Sequence, residues 1–180
     1  MIKRIMNLFK SKPSEVKDTK IDFEIEDLQK GYFLDYDLKT WQITDFSTYT
    51  WDNGVNDFES TLFDGKDKLY LSYETVNESS SIFWEEKIDK IWVAARNKIR
   101  AEQDLTQDTF TFENKNYHFA AEGSAKVKST KETYNLVNWL FESEDGQNLV
   151  SFNKYGDGFI EAYLGIRITE HQINNITPGK

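Results

Sequence analysis

Residues 31–51 read GYFLDYDLKTWQITDFSTYTW, and this stretch decides the fold class. It is rich in aromatic and β-branched residues, and its apolar positions alternate. Tyr32, Leu34 and Tyr36 fall on one face, and Trp41 and Ile43 continue an alternating face further on. A period of two is the mark of a strand with one buried face. The break at Asp37–Lys39 predicts a hairpin turn inside the stretch.

The same texture continues downstream. DFESTLF (57–63) and LYLSYETV (69–76) read as strands, set off by Asp52-Asn53-Gly54 and Asp64-Gly65, which are turn formers. Strands follow near 109–113, 116–122, 133–142, 148–153 and 158–169, with Asp145-Gly146 and Gly156-Asp157-Gly158 as turns. One segment breaks the pattern. In 81–103, Ile88, Ile91, Trp92, Ala95 and Ile99 follow helical spacing, which predicts a helix over about 86–102 entered from a short strand at Ile82–Glu85. The tail, HQINNITPGK, predicts a closing helical turn.

The chain also resembles itself. FLDYDLKTWQI (33–43) is similar to TFTFENKNYHF (109–119), Thr61-Leu62-Phe63 to Trp139-Leu140-Phe141, and Leu71-Ser72-Tyr73 to Val150-Ser151-Phe152. The spacing drifts only in turns, which reads as two related halves, about 28–88 and 108–168. The expectation is a mostly β domain over 21–180: an antiparallel sandwich or barrel built from two similar halves and connected by one substantial helix.

Composition narrows the function classes. The chain has 180 residues, no Cys and two His, His118 and His171. A disulfide framework, a thiolate nucleophile, an iron–sulfur cluster and a thiolate zinc site are therefore excluded. The net charge of −9 argues against a nucleic-acid partner. No G-x-S-x-G elbow, G-x-G-x-x-G loop or phosphate-binding G-x-x-x-x-G-K-[ST] is present. No cofactor, metal or catalytic residues are assigned, and the expectation is a protein that is not an enzyme. Acidic pairs such as Glu85/Glu86 and Glu142/Glu144/Asp145 read as solvated faces in so acidic a chain.

The charge is uneven. Residues 1–20 hold six basic and two acidic side chains, against 16 and 29 in residues 21–180. Within this head, Ile2, Ile5, Met6, Leu8 and Phe9 take roughly helical spacing, flanked by Lys3, Arg4 and Lys10, before Pro13 and a polar linker. Such a segment suits an anionic membrane surface; contact with a protein, or no role, stays open beside it. The head lacks the apolar core of a secretory signal, and no apolar run approaches the ~20 residues of a membrane span. The reading is therefore cytoplasmic, with peripheral attachment at the inner membrane face through residues 1–12 as an option. Among the five Trp, Trp41, Trp92 and Trp139 read as core, whereas Trp51 and Trp84, near turns and element ends, are the candidates for a binding surface.

The quoted hairpins, the lead DLQKG (27–31), YDLKTWQI (36–43), ENKNYHF (113–119) and YNLVNWLFESEDGQNLVSF (134–152) together resemble the bacterial family catalogued as domain of unknown function 4178, over about 25–177. The resemblance implies a bacterial, cytoplasmic protein with no established activity and no catalytic residues to transfer. It also implies a gene context of membrane proteins, membrane-stress proteins and polyamine synthesis. The function expected is a non-enzymatic adaptor or scaffold that recognises a protein partner by its surface, linked to membrane stress. The alternative is a β-barrel or sandwich that binds a small ligand: an apolar molecule, a sugar or a polyamine.

Overall fold

The alternating segments form eleven strands in a single antiparallel sheet. The structure, a computed structural model, describes residues 22–76, 79–89 and 93–179. The basic head (Ile2, Lys3, Arg4, Ile5, Met6, Leu8, Phe9 and Lys10) and Trp92 lie outside the described residues.

The strands are β1 (Phe33–Tyr36), β2 (Lys39–Trp51), β3 (Asn56–Phe63), β4 (Lys68–Val76), β5 (Ser79–Lys87), β6 (Thr109–Phe112), β7 (Lys115–Lys128), β8 (Thr133–Ser143), β9 (Asn148–Tyr155), β10 (Ile160–Ile168) and β11 (Asn174–Thr177). A short helix, α1 (Val93–Arg100), lies between β5 and β6. The sheet order is β11-β1-β2-β3-β4-β5-β10-β9-β8-β7-β6, and a further pairing of β2 with β7 closes eight of the strands into a ring. The ring closes at two seams. At one, β5 meets β10 with Glu85 opposite Gly165; at the other, β2 meets β7 with Thr50 opposite Lys126.

Local chemistry explains the turns. Asp37-Leu38 and Glu113-Asn114 all have positive φ. That is the backbone of a two-residue hairpin whose twist matches its strands. Both long strands carry a bulge just after the hairpin, between Ile43 and Asp45 in β2 and between Phe119 and Ala121 in β7. A bulge bends the strand, so the first part of each long strand leaves the ring.

That bend decides where the cores lie. One cluster joins Leu34, Trp41 and Ile43 to Leu62, Leu71 and Trp84. A second joins Ala95 and Ile99 of α1 to Trp139, Phe141, Val150 and Phe152. These ring positions alternate with the ones that face the lumen. The ring therefore carries two apolar cores on its outside, one under β1 and the start of β2, the other under β6 and α1. The inward face is mixed: a third cluster (Tyr49, Ala125, Val127 and Leu136) packs beside the β2–β7 seam, and polar side chains fill much of the rest.

Two expectations need correction. Residues 86 and 87 are strand rather than helix, because Glu85, Glu86 and Lys87 pair with Gly165, Leu164 and Tyr163 of β10, and the described helix is Val93–Arg100. Strand pairing outweighs the local helical period there. The tail forms a single 3-10 turn at Glu170–Gln172 and then β11, which pairs with β1. Among the described residues, no helix is long and apolar enough to cross a membrane.

Candidate functional site

The lumen of the ring holds a cavity of about 180 Å³, lined from six of the eight ring strands. Alternation puts Asp57 and Glu59 of β3, Ser72 and Glu74 of β4, and Ser81, Phe83 and Glu85 of β5 on one wall. Asn138 and Leu140 of β8, with Leu149, Ser151 and Asn153 of β9, form the facing wall. Tyr49 and Trp51 of β2 complete it. A second depression, lined by the β2–β3 turn (Asp52, Asn53, Val55) and by Ala121 to Ser124, shares Trp51, Asp57 and Glu74 with the cavity and marks its mouth.

Trp51 is fixed there by two contacts. Its Nε1–H donates to Asp57 Oδ2 at 2.6 Å. Its ring lies over Gly123, where an added Cβ would approach the indole to 3.3 Å. Trp51 thus stands at the cavity as a half-buried aromatic, as its sequence position near a turn suggested. Trp84 does not. It is 8% exposed, stacks on Tyr36 at 4.0 Å between ring centroids and meets Trp41 edge-on at 5.2 Å. It belongs to the outer core, because its parity on β5 is opposite to that of Glu85.

The carboxylates differ sharply in their partners. Glu161 faces the same lumen, paired with the Lys87 ammonium and accepting from the hydroxyls of Tyr155 (2.8 Å) and Tyr163 (2.5 Å). Burial alone would raise it, but these partners outweigh burial and hold it below the usual carboxylate range. Glu59, Glu85 and Asp57 have no ion pair among the described residues. Glu59 accepts from the Tyr49 hydroxyl at 3.0 Å, and among the described residues Glu85 has the Ser72 hydroxyl as its partner. Asp57 accepts from Trp51 through Oδ2, while its Oδ1 is buried with no partner. Burial pushes Glu59 up to about 8, with the nearby Glu85 adding to it. Burial likewise pushes Glu85 up to about 7, and Asp57 up to about 6, with Glu74 adding to the latter.

Gly165 makes room for this arrangement. A Cβ there would lie 2.7 Å from two Leu149 side-chain atoms and 3.1 Å from Glu85 Cγ. Gly165→Ala should therefore cost about 1–3 kcal/mol, the usual cost of overpacking, with Leu149 driven toward the cavity. Urea denaturation at fixed pH measures it, and a loss below about 0.3 kcal/mol would show that the contact is slack.

The sequence reading missed this site. Glu85 was read as part of a solvated face but is buried. Asp57 and Glu59 are legible in the sequence only as members of the strand DFESTLF (57–63). Glu144 and Asp145 are exposed, as expected; Glu142 is partly buried and lies 3.7 Å from Arg167. His118 and His171 are both exposed, on β7 and in the 3-10 turn after β10, and the structure does not bring them together with the cavity. No group of three or more His, Asp or Glu side chains among the described residues is placed to hold a metal ion.

Comparison with known proteins adds kinship. An uncharacterized protein of Aquifex aeolicus (strain VF5) is 25% identical over 177 residues, 98% of each chain. No solved structure matches. The family described as "Domain of unknown function (DUF4178)" matches residues 29–170, which run from just before β1 through all ten strands to β10 and contain every residue of the cavity. The chain belongs to that family.

Proposed function

We propose that this chain is a small-ligand-binding β-barrel that takes its ligand in the lumen of the eight-stranded ring, by binding and not by turnover. The observation that carries this reading is the cavity itself. A lumen left partly unfilled, with an aromatic ring at its mouth and a buried, unpartnered oxygen of Asp57 on its wall, is costly in an isolated protein. A guest that supplies the missing partners offsets that cost.

The adaptor reading has one observation behind it. The sheet ends at β6 and β11, and the outer edge of each pairs with no other strand among the described residues. An extended peptide can add to such an edge, but both strands are only four residues long, so the lumen is the better supported site. We further read the chain as cytoplasmic, with residues 1–12 as the part that would meet an anionic membrane or a protein partner.

The lumen reading is tested by thermal denaturation against a panel of neutral, anionic and cationic small molecules. Ser151, buried on the cavity wall, is replaced by Phe to fill it. A true ligand at a hundredfold its Kd stabilises by about 2.7 kcal/mol, or roughly 5–10 °C for a chain of this size. The shift should vanish in Ser151→Phe. A blank panel, or shifts that survive the filled cavity, would overturn the reading.

A further inference from the structure

We propose that the lumen cavity is a binding site for an organic ammonium ion with a compact apolar body, its charge taken by Glu59, Glu85 and Asp57 and its body by the walls formed by Trp51, Phe83 and Leu149. This rests on the ligand-binding reading and names the class of guest.

The first argument is the contrast within one lumen. Glu161 has a lysine and two tyrosine hydroxyls, and its charge is answered. The other three have no cation paired to them among the described residues. Lys68, the basic group nearest in effect to Glu59, acts only at a distance, with its Nζ over the Tyr70 ring at 4.9 Å. Glu85 is nine-tenths buried with one hydroxyl partner, and Asp57 Oδ1 is buried with none. Among the described residues each of the three thus has a single neutral donor and no cation, and Asp57 Oδ1 has no donor at all. Ionised aspartate and glutamate can only accept, so a guest that meets their ionised forms must donate.

The second argument concerns what kind of donor fits. A bare metal ion needs several ligands converging on one point, and the lumen offers no such cluster among the described residues. The walls between the carboxylates are indole, phenyl and leucine surface. A cation with an apolar body uses both, since ring faces attract positive charge. An anion would be repelled. A neutral guest donates a hydrogen bond at most and answers none of the charge. Size agrees: a cavity of about 150 Å³ holds a benzene-sized guest, and this one is about 180 Å³.

The third argument is protonic. Without a guest, burial holds Glu59 near 8, Glu85 near 7 and Asp57 near 6, so at pH 6 both glutamates hold protons and Asp57 holds one about half the time, and most of these protons are gone above pH 8. An ammonium ion selects their ionised forms, so its binding must release protons and strengthen as pH rises from 6 to 8. The groups facing them are Tyr49, Trp51, Ser72, Glu74 and, further off, Lys68, Glu161 and Arg167, whose guanidinium lies 4.6 Å over the Phe83 ring, bonds Ser81 and pairs with Glu142. The tyrosine among them is itself raised well above its ordinary value by burial. It does not titrate in this window.

The test is calorimetric titration of the full chain with three probes of one shape: cyclohexylammonium, cyclohexanol and cyclohexanecarboxylate. Titrations are run at pH 6 and pH 8 in two buffers of different ionisation heat. Cyclohexylammonium should bind at least tenfold tighter at pH 8 than at pH 6, release protons, and exceed cyclohexanol by at least tenfold. Glu59→Gln and Glu85→Gln should each weaken it about tenfold or more, while their melting temperatures at pH 5.5 match the wild type and show that they fold. If cyclohexanol or the carboxylate binds as well, and loses its site in Ser151→Phe, the ammonium class is wrong and the ligand-binding reading stands. If none of the three binds, this inference is overturned, and the ligand-binding reading falls with it only if the wider thermal panel is also blank.

Discussion

Trp84→Ala lowers the stability of this chain by about 3–5 kcal/mol, the range for truncating a large buried aromatic. The reason is its place in the outer core, not at the surface. The indole stacks on Tyr36, meets Trp41 edge-on, and sits on β5 opposite Leu71 on one neighbour and Ile166 on the other. Removing it leaves a void under the β1–β2 hairpin that the ring cannot close. Single domains have about 5–15 kcal/mol in all, so the variant stands near its unfolding threshold. Trp51→Ala is the control. Trp51 is half-buried, and its truncation should cost less than half as much. Urea or guanidinium melts of the three proteins, with equal m-values, settle the comparison. Equal losses in both variants, or a loss under 1 kcal/mol for Trp84→Ala, would place Trp84 outside the core.

The second large effect is in pH. Glu59 and Glu85 are raised in the folded protein to about 8 and about 7, chiefly by burial. In the unfolded chain they titrate near 4.5. Between those limits the folded state holds protons that the unfolded state has shed. Stability therefore falls as pH rises through that window. The contribution is fully present below about 4.5 and is gone above about 8. Each carboxyl contributes to the loss in proportion to its shift, so Glu59 contributes more than Glu85, and Asp57 adds in the same direction. The melting temperature of the ligand-free protein should thus decline from pH 5.5 to pH 8.5. Glu59→Gln/Glu85→Gln keeps the shape of the protonated carboxyls and cannot ionise. Its curve should match the wild type at pH 5.5, exceed it by several degrees at pH 8.5, and run flatter between. Parallel curves would mean that the two groups already meet water or a cation.

What the sequence revealed and what it concealed have one physical cause. Alternation at Leu34, Trp41 and Ile43, at Leu71 and Tyr73, and at Val150 and Phe152 marked the strands, their turns and their apolar face. These residues are buried as that pattern requires. The opposite face, with Asp57, Glu59, Ser72, Glu85 and Ser151, has the composition of a solvated surface, and in an open sheet it would be one. Closing the ring turns that face inward. Nothing in a period of two distinguishes side chains facing bulk water from side chains facing a lumen, so the site was hidden in the residues that looked least informative. The helix over 86–102 failed for a related reason. Glu86 and Lys87 lead straight into the helical period of Ile88, Ile91, Trp92, Ala95 and Ile99, but their partners are some 80 residues away on β10, beyond the reach of any local pattern.

The two seams have a consequence for how the chain reaches this state. Neighbours within β1–β5, and within β6–β10, are joined by turns and can zip from adjacent segments. Thr50 with Lys126 and Glu85 with Gly165 must instead find each other across roughly 80 residues, and loop-closure entropy is spent before such contacts return anything. Ring closure is therefore the slow event. Until it happens, β2, β5, β7 and β10 offer unpaired edges. At high concentration the same edges in a second copy compete for them, so exchange of meanders between two chains is the misassembly to which this topology is most exposed.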